Sequence, residues 1–258
     1  MYQRISKYQR VFITSLSMIV IGCTSSVTET VENQENHELV VLAHGLGRSD
    51  VSMWKLSQRL EDAGYLVCAL NYDTIGQDVD AVLDMTTEQI DLCIAHAPKV
   101  HFVGHSLGGL VIRSYLQRND TLVNNSHFGE VVFMGTPNKG SELADHFSDS
   151  WLMGIGGEIS QVLVTGETSL GNQLEAPSYN VGIIAGTKTS FLTNNLFSGP
   201  NDGLVSVDST KLDTMSDFVA IDVGHSSMRF NSEVAHQTIH YLKHGTFAHE
   251  PLDPQLSD

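Results

Sequence analysis

One pentapeptide limits the folds open to this chain more than any other feature. Gly104-His105-Ser106-Leu107-Gly108 directly follows the mostly apolar run Lys99-Val100-His101-Phe102-Val103 and opens the helix-like segment from Leu107 to Leu116. A strand that turns straight into a helix forces the two backbones together. A glycine on either side of the turn removes side chains that would collide there. The residue at the apex, Ser106, takes a strained conformation that lifts its hydroxyl into solvent. The next N–H, from Leu107, falls at a helix N-terminus, where unpaired donors favour negative charge. These five residues alone also suit a Gly-rich loop with a solvated serine. The strand before and the helix after favour a serine nucleophile.

The rest of the chain agrees with that context. From Glu38 onward, short apolar runs alternate with helical periodicity. Strands are expected at Leu39–Ala43, Tyr65–Leu70, Val100–Val103, Glu130–Met134, Asn180–Ala185 and Asp217–Asp222. Helices are expected at Met53–Ala63, Asp78–His96, Leu107–Arg118 and Ser232–His244. The strands are rich in Val, Ile, Leu and Phe and lack clean alternation, as strands covered on both faces do. Helices between such strands imply right-handed crossovers and a mostly parallel sheet, an α/β fold. At 258 residues, with 41% hydrophobic and 17% charged residues, one domain with an ample core is expected. Ser141 to Ser178 breaks the alternation. It lies between two strands, on the side where ligands bind in such sheets. It reads either as a short lid or pocket wall, with Trp151, Leu152 and Met153 lining an acyl pocket, or as a crossover helix with loose ends.

The N-terminus reads as a targeting segment. Met1 to Arg10 is basic, Val11 to Ile21 is apolar but short for a membrane span, and the run ends in Val20-Ile21-Gly22-Cys23. That ending resembles a bacterial lipobox, which implies cleavage after Gly22 and lipid attachment at Cys23. Thr24 at the next position implies the outer membrane, facing the periplasm or the surface. We therefore divide the chain into a signal peptide (1–22), a polar tether carrying the lipidated Cys23 (23–37), a catalytic domain (38–248) and a C-terminal tail (249–258). Several acyl chains would make such anchoring stable, where one gives marginal binding. The formal net charge is −16; without the first 22 residues it is −19, from 11 basic and 30 acidic residues. This sign argues against a nucleic-acid partner. Cys68 falls in a strand and Cys93 in a helix. The compartment permits pairing, but we read both as small buried hydrophobes. Neither sits in a metal-ligand pattern.

A serine hydroxyl is a weak nucleophile at neutral pH and needs a base and a group to orient that base. In strand–helix architectures of this kind the order is serine, acid, histidine, the last two on loops after later strands. Among twelve histidines, His225 stands directly after the Asp217–Asp222 strand. His236, His240, His244 and His249 fall in or after the last helix and read as solvated. Asp202, in Gly199-Pro200-Asn201-Asp202-Gly203, follows the Asn180–Ala185 strand; Asp208, Asp213 and Asp222 compete with it. Plain turn chemistry also accounts for Asp202. The second oxyanion donor is expected from Ala43-His44-Gly45-Leu46-Gly47-Arg48, with the Leu46 N–H partnering that of Leu107.

With these parts assembled, the chain resembles the α/β-hydrolase superfamily and, within it, bacterial lipases and esterases. The matching residues are Ala43 to Arg48, Gly104 to Gly109, Gly135 to Asp145 (Gly-Thr-Pro-Asn-Lys-Gly-Ser-Glu-Leu-Ala-Asp) and Pro200 to Val207 (Pro-Asn-Asp-Gly-Leu-Val-Ser-Val). The resemblance implies Ser106 as nucleophile, Asp202 as acid, His225 as base, and Leu46 and Leu107 as oxyanion donors. It implies a minimal hydrolase of about six strands with a short lid, acting on acyl esters or lipids without metal or organic cofactor. Acyl transfer or phospholipid deacylation through the same acyl-enzyme is a second reading. A non-catalytic binding lipoprotein is a third, against which the intact Ser106, Asp202 and His225 argue. The oligomeric state is not legible.

Overall fold

The computed structural model describes residues 37–147 and 163–249. The signal segment, Cys23, Trp151, Leu152, Met153 and the tail from Glu250 lie outside the described residues. Six strands, β1 (Leu39–Ala43), β2 (Leu66–Ala69), β3 (Val100–His105), β4 (Phe128–Met134), β5 (Val181–Gly186) and β6 (Asp217–Ile221), form one sheet in the order β2-β1-β3-β4-β5-β6. Every pairing is parallel. Three longer helices connect strands, α1 (Trp54–Asp62), α2 (Val79–Ile94) and α3 (Leu107–Arg118), and a fourth, α4 (Ser232–His244), follows β6. The expected elements are all present. The bounds of α3 and α4 are those expected, while β3 runs on to His105 and β4 begins earlier, at Phe128.

Alternation along the strands builds two cores, one on each face of the sheet. Val41, Phe102, Val131 and Ile183 pack against α2 and α3 through Val82, Ile90, Leu110 and Tyr115. Val40, Leu42, Val103, Val132 and Ile184 pack the other way, against Leu56 and Leu60 of α1 and Val234 and Tyr241 of α4. Each fully buried aliphatic chain contributes roughly 1.5–3 kcal/mol. The starts of α2 and α4 are set by capping side chains. Asp78 accepts from the Ala81 N–H at 2.7 Å and Asn231 from the Val234 N–H at 2.9 Å. Gly245, at φ 71°, ends α4 in the left-handed conformation.

The sheet order places the site. The chain runs from β1 outward to β2 and then returns to the other side of β1 to lay down β3. The crevice outside the C-terminal ends of β1 and β3 is therefore a switch point, where such sheets bind ligands. The loop from His44 to Arg48 and the turn at Ser106 both emerge there.

One cysteine reading is corrected. Cys68 of β2 and Cys93 of α2 form a disulfide with Cα atoms 6.2 Å apart. They are not separate buried thiols: the crossover lays α2 against the edge strand and brings together residues 25 apart in sequence.

His44, His101 and His105 are almost fully buried. His101 Nδ1 accepts from the Glu130 N–H at 2.9 Å, so its proton sits on Nε2, which donates to Glu38 at 3.0 Å. Burial holds all three imidazoles below their ordinary value of 6.5, His105 furthest. Below that value the unfolded chain binds protons that the folded chain refuses. Stability is therefore present above pH 6.5 and falls below it, by up to about 1.4 kcal/mol per pH unit for each histidine until its folded pKa is reached. Urea midpoints are expected to drop steadily from neutral pH to about pH 5; midpoints that stay flat would contradict the buried neutral state.

Candidate active site

Ser106 is the turn between β3 and α3. Its φ of 56° and ψ of −127° make it the one non-glycine with positive φ among the described residues. Such a conformation costs of order 1–3 kcal/mol and persists where its surroundings enforce it. A β-carbon on Gly104 would lie 2.5 Å from the Gly109 Cα, and one on Gly108 would lie 2.3 Å from the Ala43 carbonyl oxygen. The two glycines are thus what lets α3 lie against β1 and β3. The Ser106 N–H donates to the Met134 carbonyl at 2.9 Å, tying the turn to the end of β4.

His225 follows β6 and starts a short 3₁₀ turn, His225–Phe230. Its Nε2 lies 3.0 Å from the Ser106 Oγ and its Nδ1 lies 2.7 Å from Asp202 Oδ2. Asp202 sits between β5 and β6. Its other oxygen, Oδ1, accepts from the Leu204 N–H at 3.0 Å and the Val205 N–H at 2.8 Å. The turn chemistry and the histidine contact are therefore both present, one on each carboxylate oxygen. A carboxylate is acceptor-only, so the His225 proton belongs on Nδ1 and Nε2 is free to accept from the serine hydroxyl. The His225 N–H also donates to the Asp202 carbonyl at 2.9 Å, clasping the two loops. The competing acids Asp208 and Asp213 instead lie 2.9 Å and 3.9 Å from Lys211 and Lys139.

The loop after β1 lies against the serine. A β-carbon on Gly45 would be 2.9 Å from the Ser106 β-carbon. Leu107 opens α3, and the first N–H groups of a helix have no carbonyl one turn earlier to bond. The Leu46 N–H makes no hydrogen bond among the described residues. The loop is held from behind by residues that the sequence pattern does not reveal. The Tyr72 hydroxyl donates to the His44 carbonyl at 2.5 Å, and the His44 ring stacks on Tyr72 with centroids 4.0 Å apart. The Gly47 N–H donates to Thr74 Oγ1 at 2.8 Å.

His105, the variable residue of the pentapeptide, is a second support. Its Nε2 donates to the His225 carbonyl at 3.0 Å. Burial, then the neighbouring His225 and Arg229, hold its pKa well below 6.5, so it stays neutral. It can orient the His225 loop without adding a charge that opposes an imidazolium there.

A cavity of about 240 Å³ lies against Ser106 and His225. Leu46, Pro137, Leu143, Ala144, Leu163 and Val205 give it an apolar wall. Leu143 and Ala144 come from a short helix, Glu142–Phe147, inside the segment read as a lid or pocket wall. The Ser141 hydroxyl ties that segment to the acid loop by donating to the Leu204 carbonyl at 2.7 Å. The cavity is below the ~300–1,000 Å³ typical of drug-sized ligand sites and suits a short to medium apolar chain. Among the described residues, no group of three or more His, Cys, Asp or Glu converges as metal ligands do.

Sheet, turn and loop placement together define an α/β-hydrolase fold. The chain belongs to the family described as a domain of unknown function, DUF7379, whose model matches residues 22–181. Methylesterase 8 of Arabidopsis thaliana is 26% identical over 143 residues, 52% of this chain and 50% of that protein. The chain thus spans about half the length of that curated relative. Among solved structures, the mature Bacillus licheniformis lipase BlEst2 superposes with a TM-score of 0.61 at 22% identity, covering 75% of this chain and 86% of that one. A bromoperoxidase from Bacillus anthracis gives 0.55 at 17% identity, over 81% and 92%. Phospholipase PlaB from Legionella pneumophila gives 0.54 at 16%, over 67% and 45%. At these identities the solved structures establish the fold.

Proposed function

We propose that this protein is a serine carboxylester hydrolase of the esterase/lipase type. The observation that carries the reading is the continuous hydrogen-bond chain from Asp202 through His225 to the hydroxyl of a strained Ser106. The names of the methylesterase, lipase and phospholipase relatives lean the same way.

In this reading the Ser106 Oγ attacks the ester carbonyl carbon as its proton passes to His225 Nε2. Asp202 holds the imidazole with Nδ1 protonated and stabilises the imidazolium. The carbonyl oxygen, now negative, meets the N–H groups of Leu46 and Leu107; losing one such donor typically costs about 3–4 kcal/mol. As the carbon–oxygen bond to the alcohol breaks, His225 returns the proton to that oxygen. The acyl group remains on Ser106, with its chain in the apolar cavity. Water, giving a proton to the same Nε2, then attacks the acyl carbon; the acid leaves and Ser106 regains its hydrogen. The lipid anchor at Cys23, in the bacterial envelope, belongs to the same proposal and rests on Val20-Ile21-Gly22-Cys23.

The test is hydrolysis of p-nitrophenyl esters from acetate to palmitate by the full chain. Turnover is expected on short to medium acyl chains, falling by about 10⁴-fold or more in Ser106→Ala. A folded protein with no turnover on any ester, or turnover that survives the substitution, would overturn the proposal.

A further inference from the structure

The protein is strongly acidic, with 30 acidic and 14 basic residues. The cavity beside Ser106 is not. Among the described residues, none that lines it is acidic, and one, Arg48, carries a fixed positive charge. Many cations in this chain are already engaged. Lys99, Arg118, Lys139 and Lys211 face carboxylates. Arg113 is buried against Asn138 and backbone carbonyls, and Arg59 and Arg229 donate to backbone carbonyls. Arg48 has no ion pair among the described residues. Its one side-chain hydrogen bond among the described residues is a long 3.4 Å contact to the carbonyl of the preceding Gly47. It is exposed, and it follows the Gly45-Leu46-Gly47 loop that lies against the nucleophile.

We propose that Arg48 determines specificity, and that the preferred substrates are acyl esters whose alcohol portion carries an anion, a phosphate or a carboxylate. This rests on the ester hydrolase reading above. In this proposal the acyl chain takes the apolar lining of Leu143, Ala144 and Leu163, which leaves the exposed Arg48 to the alcohol portion. A guanidinium presents a planar fork of donors that fits both a carboxylate and a phosphate. The need for it is electrostatic: the surrounding acidic protein repels an anionic substrate, and one unpaired cation beside the nucleophile offsets that repulsion where binding occurs.

The test compares esters sharing one acyl group, using the full chain: 1-butanoylglycerol, 1-butanoylglycerol 3-phosphate and 3-O-butanoylglycerate. The readout is the ratio of kcat/KM for each anionic ester to that for the neutral one. Wild type is expected to favour at least one anionic ester, and the larger ratio identifies the anion. In Arg48→Gln that ratio should fall about tenfold, the modest size expected of a charge-assisted contact at an exposed position. Arg48→Lys, which keeps the charge and loses the fork, should retain part of it, and salt should compress it. A merely structural arginine would lower all three esters in proportion. A ratio unchanged in Arg48→Gln, or a wild-type preference for the neutral ester, overturns the inference while leaving the hydrolase reading standing. No hydrolysis of any of the three by a protein that still turns over p-nitrophenyl butanoate overturns the inference alone, and loss of that turnover as well overturns both.

Discussion

Asp202→Asn is expected to lower kcat by about 10⁴-fold while leaving the fold intact. The reason lies in how the two carboxylate oxygens are used. Oδ1 accepts from the N–H groups of Leu204 and Val205, and Oδ2 accepts from His225 Nδ1. An asparagine has one acceptor oxygen and one NH₂ group. The two backbone donors claim the oxygen, which turns the NH₂ toward His225. Nδ1 must then accept, the imidazole proton moves to Nε2, and Nε2 can no longer take a proton from Ser106. Kinetics on a p-nitrophenyl ester, together with a melting temperature close to wild type, check this. A loss smaller than about tenfold would mean that Asp202 does not set the histidine tautomer.

The second large effect is expected at Gly108. A β-carbon there would lie 2.3 Å from the Ala43 oxygen and 2.7 Å from the His44 oxygen, both backbone atoms of β1 and the loop behind Leu46. Neither can move aside without shifting the strand that sits between β2 and β3. Gly108→Ala should therefore destabilise the protein by about 3 kcal/mol or more and abolish hydrolysis in whatever folds. Gly199 supplies the contrast, since a β-carbon there meets nothing within 4 Å. Gly199→Ala should change stability by less than about 0.5 kcal/mol. Chemical denaturation of both variants separates close packing at Gly108 from a general intolerance of the change.

Much of this architecture is legible in the amino-acid sequence. α4 is legible because it buries one face, through Val234, Thr238, Tyr241 and Leu242; α3 is buried all round from Leu107 to Leu116 and is legible from the turn at Ser106 and the mostly apolar run after it; the strands stand out because both of their faces are covered. The meeting of Ser106, Asp202 and His225 follows from their places at strand C-terminal ends, which one parallel sheet brings to one edge. Their chemical roles are a separate matter and stand as the proposal above. What was not legible depends on contacts between elements distant in sequence. Tyr72 and Thr74 brace the loop after β1 from the segment that follows β2, and no local pattern marks them. His105 sits in the variable position of its pentapeptide, so its hydrogen bond to the His225 carbonyl is visible only once β3 and the last loop are adjacent. Cys68 and Cys93 pair because of how α2 crosses the sheet edge. The wall made by Leu143, Ala144 and Leu163 lies in a segment with no clear period, where composition alone does not separate a pocket wall from a crossover.

The central claim is that His225 activates Ser106 as a nucleophile, and covalent labelling tests it most directly. The full chain would be treated with a fluorophosphonate, digested, and the modified residue located by mass spectrometry. The account predicts one stoichiometric adduct on the peptide containing Ser106, absent in Ser106→Ala and greatly slowed in His225→Ala. A folded protein left unlabelled at Ser106, or labelled there at the same rate without His225, would contradict it.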